Sequence, residues 1–301
     1  SEILLSTTAQ IALKPEQSNA TGLAHGVDAP WVADARYEAK ATTVSEKTTT
    51  AMTASRMNVY GGLRMGGESY YGLDFLNPKD AKFLFRIGSN QPDFSRMGQS
   101  WSKPVIANIK FQGKVRRVMI VGGGYDTCYE NPRFTLKGSG DDLTCATKTK
   151  AKGNAVYIVD ALTGARLWWT SDSGSNKDNV DLKHSIVSSI STADGNNDGL
   201  VDHLYFGDLG GQVFRIDLNN HTTATSTADH FAARVVKLVN LATTNKGVSI
   251  SNGDNPRFYE APTITVHRDN GKKFIHLGLE GRFEVGFQDK SAKLVHITQF
   301  I

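Results

Sequence analysis

Short apolar runs separated by clusters of Gly, Asn and Asp dominate the chain from Met57 onward. Apolar runs of this length, bounded by turn-forming residues, are typical of β-strands. The spacing of an amphipathic helix is scarce. The apolar segment His230–Thr243 is rich in β-branched residues, which favour strands. The pattern therefore predicts an all-β fold.

One strand-and-turn unit recurs along this part of the chain. Its strand ends in Asp and runs directly into turn residues, as in Tyr70–Asp74, Val156–Asp160 and Val213–Asp217. An aromatic run follows the first two turns, at Phe83–Phe85 and Leu167–Trp169. Such recurrence predicts a repeat architecture.

A hairpin precedes each strand-and-turn unit or stands in an equivalent position. A hairpin joined to a strand–turn–strand unit gives four antiparallel strands, which is one blade of a β-propeller. The predicted hairpin strands begin at Lys103–Ile106, Ser185–Val187 and Ala261–Ile264, and their partners are Val118–Gly122, His203–Gly207 and Phe274–Gly278.

The sequence pattern of residues 1–55 predicts their structure less clearly. They are rich in Ala, Thr and Ser, so we expect loops or a first blade there. The Thr-rich segment Val44–Ser55 fits either an exposed loop or a polar pair of strands. We expect residues 56–301 to form the β-propeller. Because the chain begins at Ser1 rather than Met, it is interpreted as one domain excised from a larger protein.

The two cysteines, Cys128 and Cys145, bracket a polar, Gly-rich segment that lengthens one blade. We place this insertion between the third and fourth strand positions of the blade, where it projects from one face. A disulfide would stabilise such a loop by roughly 3 kcal/mol and implies an oxidising compartment. The alternative is two reduced cysteines in a cytosolic protein. No second Cys pair or nearby His completes a four-ligand zinc site.

The segment of nine residues that begins at Asp194 has the donor pattern of a calcium loop. Oxygen-bearing side chains stand at its first, third, fifth and ninth positions, which are Asp194, Asn196, Asp198 and Asp202. Ca²⁺ takes about 6–8 oxygen ligands at about 2.3–2.6 Å. Alternate positions of a tight loop converge on one ion, and the seventh, Leu200, offers its backbone carbonyl.

Two features distinguish this loop from an EF-hand. Tyr205 stands where an EF-hand has Glu, and no helices flank the loop, so Asp202 supplies the third carboxylate. Gly199 lies at the sixth position, where the backbone turns sharply. The alternative is an Asx-rich turn, but the related hairpins use short turns at Gln112–Lys114 and Asp269–Gly271. Mg²⁺ fits less well because it demands octahedral geometry.

Charge and composition narrow the classes of function. The formal net charge is +4 and charged residues make up 21%, with one dense basic pair, Arg116 and Arg117, interpreted as a solvated strand edge rather than a nucleic-acid site. No apolar stretch approaches the roughly 20 residues of a membrane helix. Catalytic motifs are not found, so no enzyme activity is expected. The run Gly61–Gly67 fits close backbone packing or, alternatively, a substrate-facing loop.

The sequence resembles the PilY1/PilC family of type IV pilus biogenesis proteins from about Arg56 to Arg282. The segments with this likeness are Tyr60–Gly67, Tyr70–Asp74, Gln99–Val105, Gly122–Asp126, Asp208–Asp217 and Pro256–Pro262.

The resemblance implies a modified, quinoprotein-like β-propeller with a calcium-binding loop on one hairpin. It implies a role in pilus assembly, the balance of extension and retraction, twitching motility and surface adhesion. The implied partners are minor pilins or pilus-tip components and a host or abiotic surface. The implied location is the pilus tip or outer membrane of a Gram-negative bacterium, reached through the periplasm. Alternatives are a quinone-dependent dehydrogenase-like propeller, or a propeller for an unrelated protein or carbohydrate.

Overall fold

The fold is built from β-strands joined by turns and loops. The computed structural model describes residues 26–44, 47–242, 256–269, 272–283 and 290–300. Helical structure in these ranges is limited to the 3₁₀ turns Arg64–Gly66, Pro92–Phe94, Thr127–Glu130 and Ala228–His230. None of the helical turns in the described ranges has the length and apolar character to cross a membrane.

The strands follow in chain order. They are β1 (Trp31–Val44), β2 (Lys47–Gly62), β3 (Ser69–Asp74), β4 (Lys82–Gly88), β5 (Val105–Phe111), β6 (Lys114–Gly122), β7 (Ala155–Asp160), β8 (Arg166–Ser171), β9 (Ser191–Ala193), β10 (His203–Gly207), β11 (Gln212–Leu218), β12 (Ala232–Asn240), β13 (Arg257–Phe258), β14 (Thr263–Asp269), β15 (Lys272–Phe283) and β16 (Lys290–Phe300).

The described strands form four antiparallel sheets, each made from consecutive segments of the chain. Sheet I has the order β1-β2-β3-β4, sheet II the order β5-β6-β7-β8, and sheet III the order β12-β11-β10-β9. In sheet IV, β15 pairs with β13, β14 and β16. This local, meandering connectivity is the blade pattern that the repeats predict.

Apolar side chains fill the spaces between successive sheets. Tyr60 and Tyr70 of sheet I belong to the same buried cluster as Met119 and Tyr157 of sheet II. A second cluster joins sheets II and III, and includes Ile158, Trp168, Phe206, Phe214 and Phe231. A third lies between sheets III and IV around Tyr205, Val213, Phe258, Ile275 and Leu277. The core therefore consists of layers between blades, and each sheet depends on its neighbours for burial.

Most of the predicted strands are confirmed. The three strands that end in Asp correspond to β3, β7 and β11, and the aromatic runs fall in β4 and β8. The segment His230–Thr243 contains β12, although Thr243 lies outside the described residues. The hairpin turn at Gln112 and Gly113 has positive φ at both residues, +49° and +75°, as a two-residue hairpin requires. The related turn at Asn270 and Gly271 falls outside the described residues.

The strand predicted at Ser185–Val187 is wrong, since the first strand of sheet III is Ser191–Ala193. The backbone of the predicted segment is bonded to loops of sheet II instead. The Ile186 N–H donates to the Gly153 carbonyl at 3.0 Å, and the Ile186 carbonyl accepts from Gly124 N–H at 2.9 Å. The apolar pattern is that of a buried segment, but its partners are loops.

Sheet I extends into a two-stranded ribbon. β1 and β2 remain paired from Trp31 and Gly61 as far as Val44 and Lys47, whereas β3 covers β2 only over Asn58–Gly62. Of the alternatives for Val44–Ser55, the described part is therefore a pair of strands. Met52 on this ribbon is 66% exposed, so the ribbon projects into solvent.

Candidate calcium loop and axial cleft

The predicted calcium loop connects β9 to β10. His203 pairs with Ala193, so the nine residues from Asp194 to Asp202 take the place of a hairpin turn. The loop is closed at its base by the Asp202 N–H, which donates to the Ala193 carbonyl at 2.9 Å. The predicted position of the loop on a hairpin is therefore confirmed, and it stands at the rim of sheet III.

Asp194 organises the first half of the loop. Its Oδ1 accepts from the backbone N–H of Asn197 at 2.6 Å, and its Oδ2 accepts from that of Gly199 at 2.8 Å. Asn196 and Asp198 also donate their backbone N–H groups to it. Burial opposes ionisation of Asp194, but these N–H donors outweigh it and hold the pKa of the carboxyl below its ordinary value. The carboxylate is therefore charged at neutral pH.

Asn196 and Asp198 form the exposed middle of the loop. The Asn196 amide donates to Asp198 Oδ2 at 3.1 Å, and Asp198 Oδ1 accepts from the Leu200 N–H at 2.8 Å. Asn197 and Gly199 have φ of +64° and +84°, the left-handed conformation that winds the chain tightly. The tight winding places these side chains on one short arc.

Asp202 closes the loop and fastens it to the rest of the fold. Its Oδ2 accepts from Gly195 N–H at 2.8 Å, and its Oδ1 accepts from the Asn220 amide at 3.0 Å. Asn220 in turn donates to the Val201 carbonyl and accepts from Lys110 N–H in sheet II, both at 2.9 Å. The sequence marks Asn220 only as a turn residue and does not predict these contacts, because its partners lie far away in the chain.

The donor types suit a hard cation, although the carboxylates are not gathered around one point. Asp194, Asn196, Asp198 and Asp202 present only oxygen acceptors and one amide, as Ca²⁺ requires. No group of three acidic, His or Cys side chains in the described ranges is gathered closely enough to hold a metal ion. Asp194 Oδ1 already accepts from three backbone N–H groups, whereas each carboxylate oxygen of Asp198 and Asp202 accepts from one donor and keeps a lone pair for a cation.

The cysteine-bounded insertion lies between β6 and β7, the second and third strands of sheet II, so its predicted position between the third and fourth strands is wrong. The structure contains the predicted disulfide between Cys128 and Cys145, with Cα atoms 5.5 Å apart. Buried Arg257 of β13 donates to the Tyr129 carbonyl at 2.8 Å and stacks 5.1 Å from the Tyr129 ring. The insertion therefore bridges sheets II and IV.

A cleft of about 940 Å³ opens among β1, β5 and the loops beside the sheets, and we call it the axial cleft. Its walls are mainly apolar and aromatic, with two cationic side chains, one carboxylate and one serine hydroxyl besides the tyrosine hydroxyls. The residues that line it are Pro30, Val32, Arg64, Trp101, Lys103, Pro104, Val105, Ile106, Tyr125, Val187, Ser189, Tyr259, Glu260 and Ala261.

The aromatic side chains of the cleft form a continuous group. Trp101 stacks on Tyr125 with ring centroids 4.4 Å apart, and Tyr259 lies 6.5 Å from Trp101. Each of the three belongs to a segment that resembles the pilus family, so those segments were the available signal.

The glycine-rich run Gly61–Gly67 supplies one wall of this cleft. A Cβ at Gly61 would lie 2.2 Å from the Trp31 ring, and one at Gly62 would lie 2.5 Å from the Ser100 carbonyl. Close backbone packing therefore accounts for these two glycines. Arg64 of the same run lines the cleft, so the run also faces a potential ligand.

A family model described as the PilY1 beta-propeller domain matches residues 28–275. The chain belongs to this family. The predicted resemblance and the predicted all-β propeller fold are thereby confirmed.

Curated relatives include Type IV pilus biogenesis factor PilY1 of Pseudomonas aeruginosa strain PAK, which is 31% identical over 162 residues. The match covers 52% of this chain and 11% of that protein. The PilY1 of strain UCBPP-PA14 is 28% identical over 165 residues, covering 54% of this chain and 11% of its own length. The chain thus corresponds to a small part of these relatives.

Among solved structures, this chain is similar to the C-terminal domain of Pseudomonas aeruginosa PilY1. The sequence identity is 20% and the TM-score is 0.49, over 83% of this chain and 48% of the other.

Proposed function

We propose that this chain is the calcium-binding propeller domain of a type IV pilus biogenesis factor. In this role it supports pilus assembly, the balance between extension and retraction, twitching motility and surface adhesion. The observation with most weight is the family match over residues 28–275, because it comprises all the blades from sheet I into sheet IV. The proposed role is non-enzymatic, and the partners are minor pilins or other pilus-tip components.

The proposed calcium ligands are the side chains of Asp194, Asn196, Asp198 and Asp202 and the carbonyl of Leu200. Three carboxylates within nine residues repel one another, and a divalent cation would relieve that repulsion. The bound ion would supply a fixed positive charge at the rim of sheet III. The chain's own contribution is the loop that Asp194 and Asp202 hold in place.

The proposed location is the cell surface, at the pilus tip or the outer membrane, after passage through the periplasm. The disulfide between Cys128 and Cys145 supports this proposal, because such bonds persist in oxidising compartments. The match to pilus biogenesis factors supports it independently.

Calorimetric titration with Ca²⁺ tests the metal site directly. We expect Asp198→Ala to weaken binding at least tenfold, because Asp198 is exposed and its loss removes one of three carboxylates. The matched control is Asp74→Ala, since Asp74 also ends a strand and accepts from a backbone N–H two residues on. Equal Ca²⁺ binding by the wild type and Asp198→Ala would overturn the site.

The position of the loop also predicts how chelation acts. The loop lies at a rim and contributes little to the layers between sheets, so EDTA should alter hydrogen exchange at residues 194–202 more than the global melting temperature. A pull-down with purified minor pilins, with and without Ca²⁺, tests the partner. Failure of all minor pilins to bind the Ca²⁺-loaded domain would contradict the proposed partnership.

A further inference from the structure

The axial cleft is a second candidate site, separate from the calcium loop. Its lining comes from β1, β5 and the loops beside the sheets, and none of these residues belongs to the calcium loop. Its volume and its apolar walls with a few charged groups match the pockets that hold small ligands.

Arg64 is held in the cleft by a stacked arrangement. Its guanidinium carbon lies 4.4 Å from the centre of the Trp101 ring, and Trp101 is stacked on Tyr125 at 4.4 Å. Arg64 and Tyr125 therefore both stack on Trp101. A guanidinium stacked by its face keeps its in-plane N–H groups available for a carboxylate.

The backbone of Arg64 supports a functional role. Its φ is +53°, a left-handed conformation that disfavours any residue with a Cβ. Gly would fit this position without strain, yet the position is occupied by a long cationic side chain. Strained residues of this kind are concentrated at ligand-binding sites. The nearest carboxylate among the described residues, Asp28, is 4.0 Å away and partly exposed, so it engages Arg64 only weakly.

The remaining polar groups of the cleft set its charge. Lys103 is exposed and forms no ion pair within the described part of the chain. Glu260 is exposed on the same cleft, and Ser189 lines it as well. Arg64 and Lys103 against Glu260 give the lining a net charge of about one positive unit, which suits a ligand with a single negative charge.

We propose that the axial cleft binds an acidic saccharide, a sugar ring that bears one carboxylate. Arg64 receives the carboxylate in a two-point contact, and Lys103 adds a second cation. Glu260 accepts hydrogen bonds from sugar hydroxyls, since a carboxylate is an acceptor only. Tyr259 and the edge of Trp101 pack against the C–H face of the ring. A segment of acidic peptide suits the cleft less well, because Glu260 repels additional carboxylates.

The proposal is tested by titrating the whole domain with sialyllactose, a trisaccharide that bears a single carboxylate. Maltotriose is the neutral trisaccharide of similar size, and the tripeptide Glu-Tyr-Glu represents acidic peptides. We expect sialyllactose to bind at least tenfold more tightly than either. Equal or tighter binding of maltotriose or the peptide would overturn the proposal, as would no detectable binding of sialyllactose.

Variants locate the binding. Arg64→Gly relieves the left-handed backbone while removing the guanidinium, so it should fold normally and lose at least tenfold in affinity. Arg64→Lys retains the charge without the two-point contact and should lose several-fold. Lys103→Ala should also weaken binding, and Lys79→Ala, an exposed lysine on a turn away from the cleft, should not. Unchanged affinity in Arg64→Gly would place the saccharide elsewhere. Calcium removal should leave this binding intact, which separates it from failure of the metal site.

Discussion

Arg117 and Asp34 join two sheets of the propeller through an ion pair. Arg117 lies on β6 of sheet II, and its Nη2 donates to Asp34 Oδ1 on β1 of sheet I at 2.6 Å. The Asp34 side chain is only 4% exposed, and Nε of Arg56 on β2 lies 2.9 Å from its other oxygen in a second ion pair. A buried carboxylate with two guanidinium partners is therefore placed at the boundary between the blades.

Replacing Arg117 with Ala should destabilise the domain by about 2 kcal/mol. The variant leaves Asp34 buried with one partner fewer, although the partial exposure of Arg117 reduces the cost. The neighbouring Arg116→Ala is the matched control. The Arg116 side chain is 44% exposed, and its Nη1 lies 3.9 Å from the Asp160 carboxylate. Its effect should stay within about 0.5 kcal/mol. Urea unfolding measures both, and equal effects would contradict the ion pair's role.

Gly153→Ala should destabilise the fold by more than about 3 kcal/mol. Gly153 has φ of +77°, and a Cβ there would lie 1.9 Å from the Gly124 carbonyl oxygen, where two backbone segments cross. Gly174→Ala is the control, because Gly174 has the same left-handed backbone but a Cβ there would meet no other atom. Gly174 has φ of +70° with open space around its Cβ position, so its loss should be about 1 kcal/mol. The melting temperatures of the two variants should differ clearly. Similar losses of stability would show that the two backbone segments at Gly153 move apart easily.

Asp208 should make stability depend on pH. Burial raises its pKa from 3.8 to about 7, against the backbone donors Gln212 and Gly210. The folded state thus binds the proton more tightly than the unfolded state, so this contribution is complete below about pH 4 and is lost as pH rises to about 7. Burial lowers the pKa of His184 to about 4, which gives the opposite slope over an overlapping range. The difference between wild type and Asp208→Asn isolates the carboxyl.

That difference should grow in favour of Asp208→Asn between pH 4 and pH 8, by up to about 4 kcal/mol. The amide oxygen of Asn can still accept from the N–H groups of Gly210 and Gln212, each now 2.9 Å from the carboxyl. Urea unfolding at a series of pH values measures the effect. Parallel stability curves for the two proteins would show that Asp208 has an ordinary pKa.

Loss of the disulfide should destabilise the domain by about 3 kcal/mol. The double variant Cys128→Ser with Cys145→Ser frees the ends of the insertion, while Arg257 continues to hold the Tyr129 carbonyl. Arg257→Ala in the same background should add a further loss, because the two constraints fix different parts of the insertion. Urea unfolding of Arg257→Ala, of the double cysteine variant and of the triple variant measures the loss of stability from each constraint. A stability equal to wild type after cysteine replacement would contradict the prediction.

Local patterns in the sequence predicted the strands but not the contacts between sheets. The strand Val156–Asp160 is marked by apolar residues and by an Asp whose side chain accepts from Leu162 N–H two residues on. Arg117, in contrast, was interpreted as part of a solvated strand edge, and its partner is 83 positions away. No local periodicity encodes such a pair. The hydrogen bonds of Ile186 to loops of another sheet were hidden for the same reason.

The two candidate sites also differ in whether their residues are close together in the sequence. The ligand-type residues of the calcium loop lie within nine consecutive positions, so their pattern is visible in the sequence. The axial cleft assembles Arg64, Trp101, Tyr125 and Tyr259 from turns and loops that are far apart in the sequence. Their sequence segments indicated a family, but only the packing of the sheets shows that these side chains share one cavity.

The disulfide also limits how far the chain can be drawn out when the domain is pulled from its ends. The residues between Cys128 and Cys145 lie behind the covalent bond, so they cannot contribute to extension while the bond is intact. Over the sequence separation of 17, less the 5.5 Å between the two Cα atoms, roughly 50–55 Å of extension is lost at about 3.3–3.6 Å per residue. Under tension the domain would therefore lengthen in a shorter step than its residue number implies, and the insertion would stay looped even after the surrounding strands had separated.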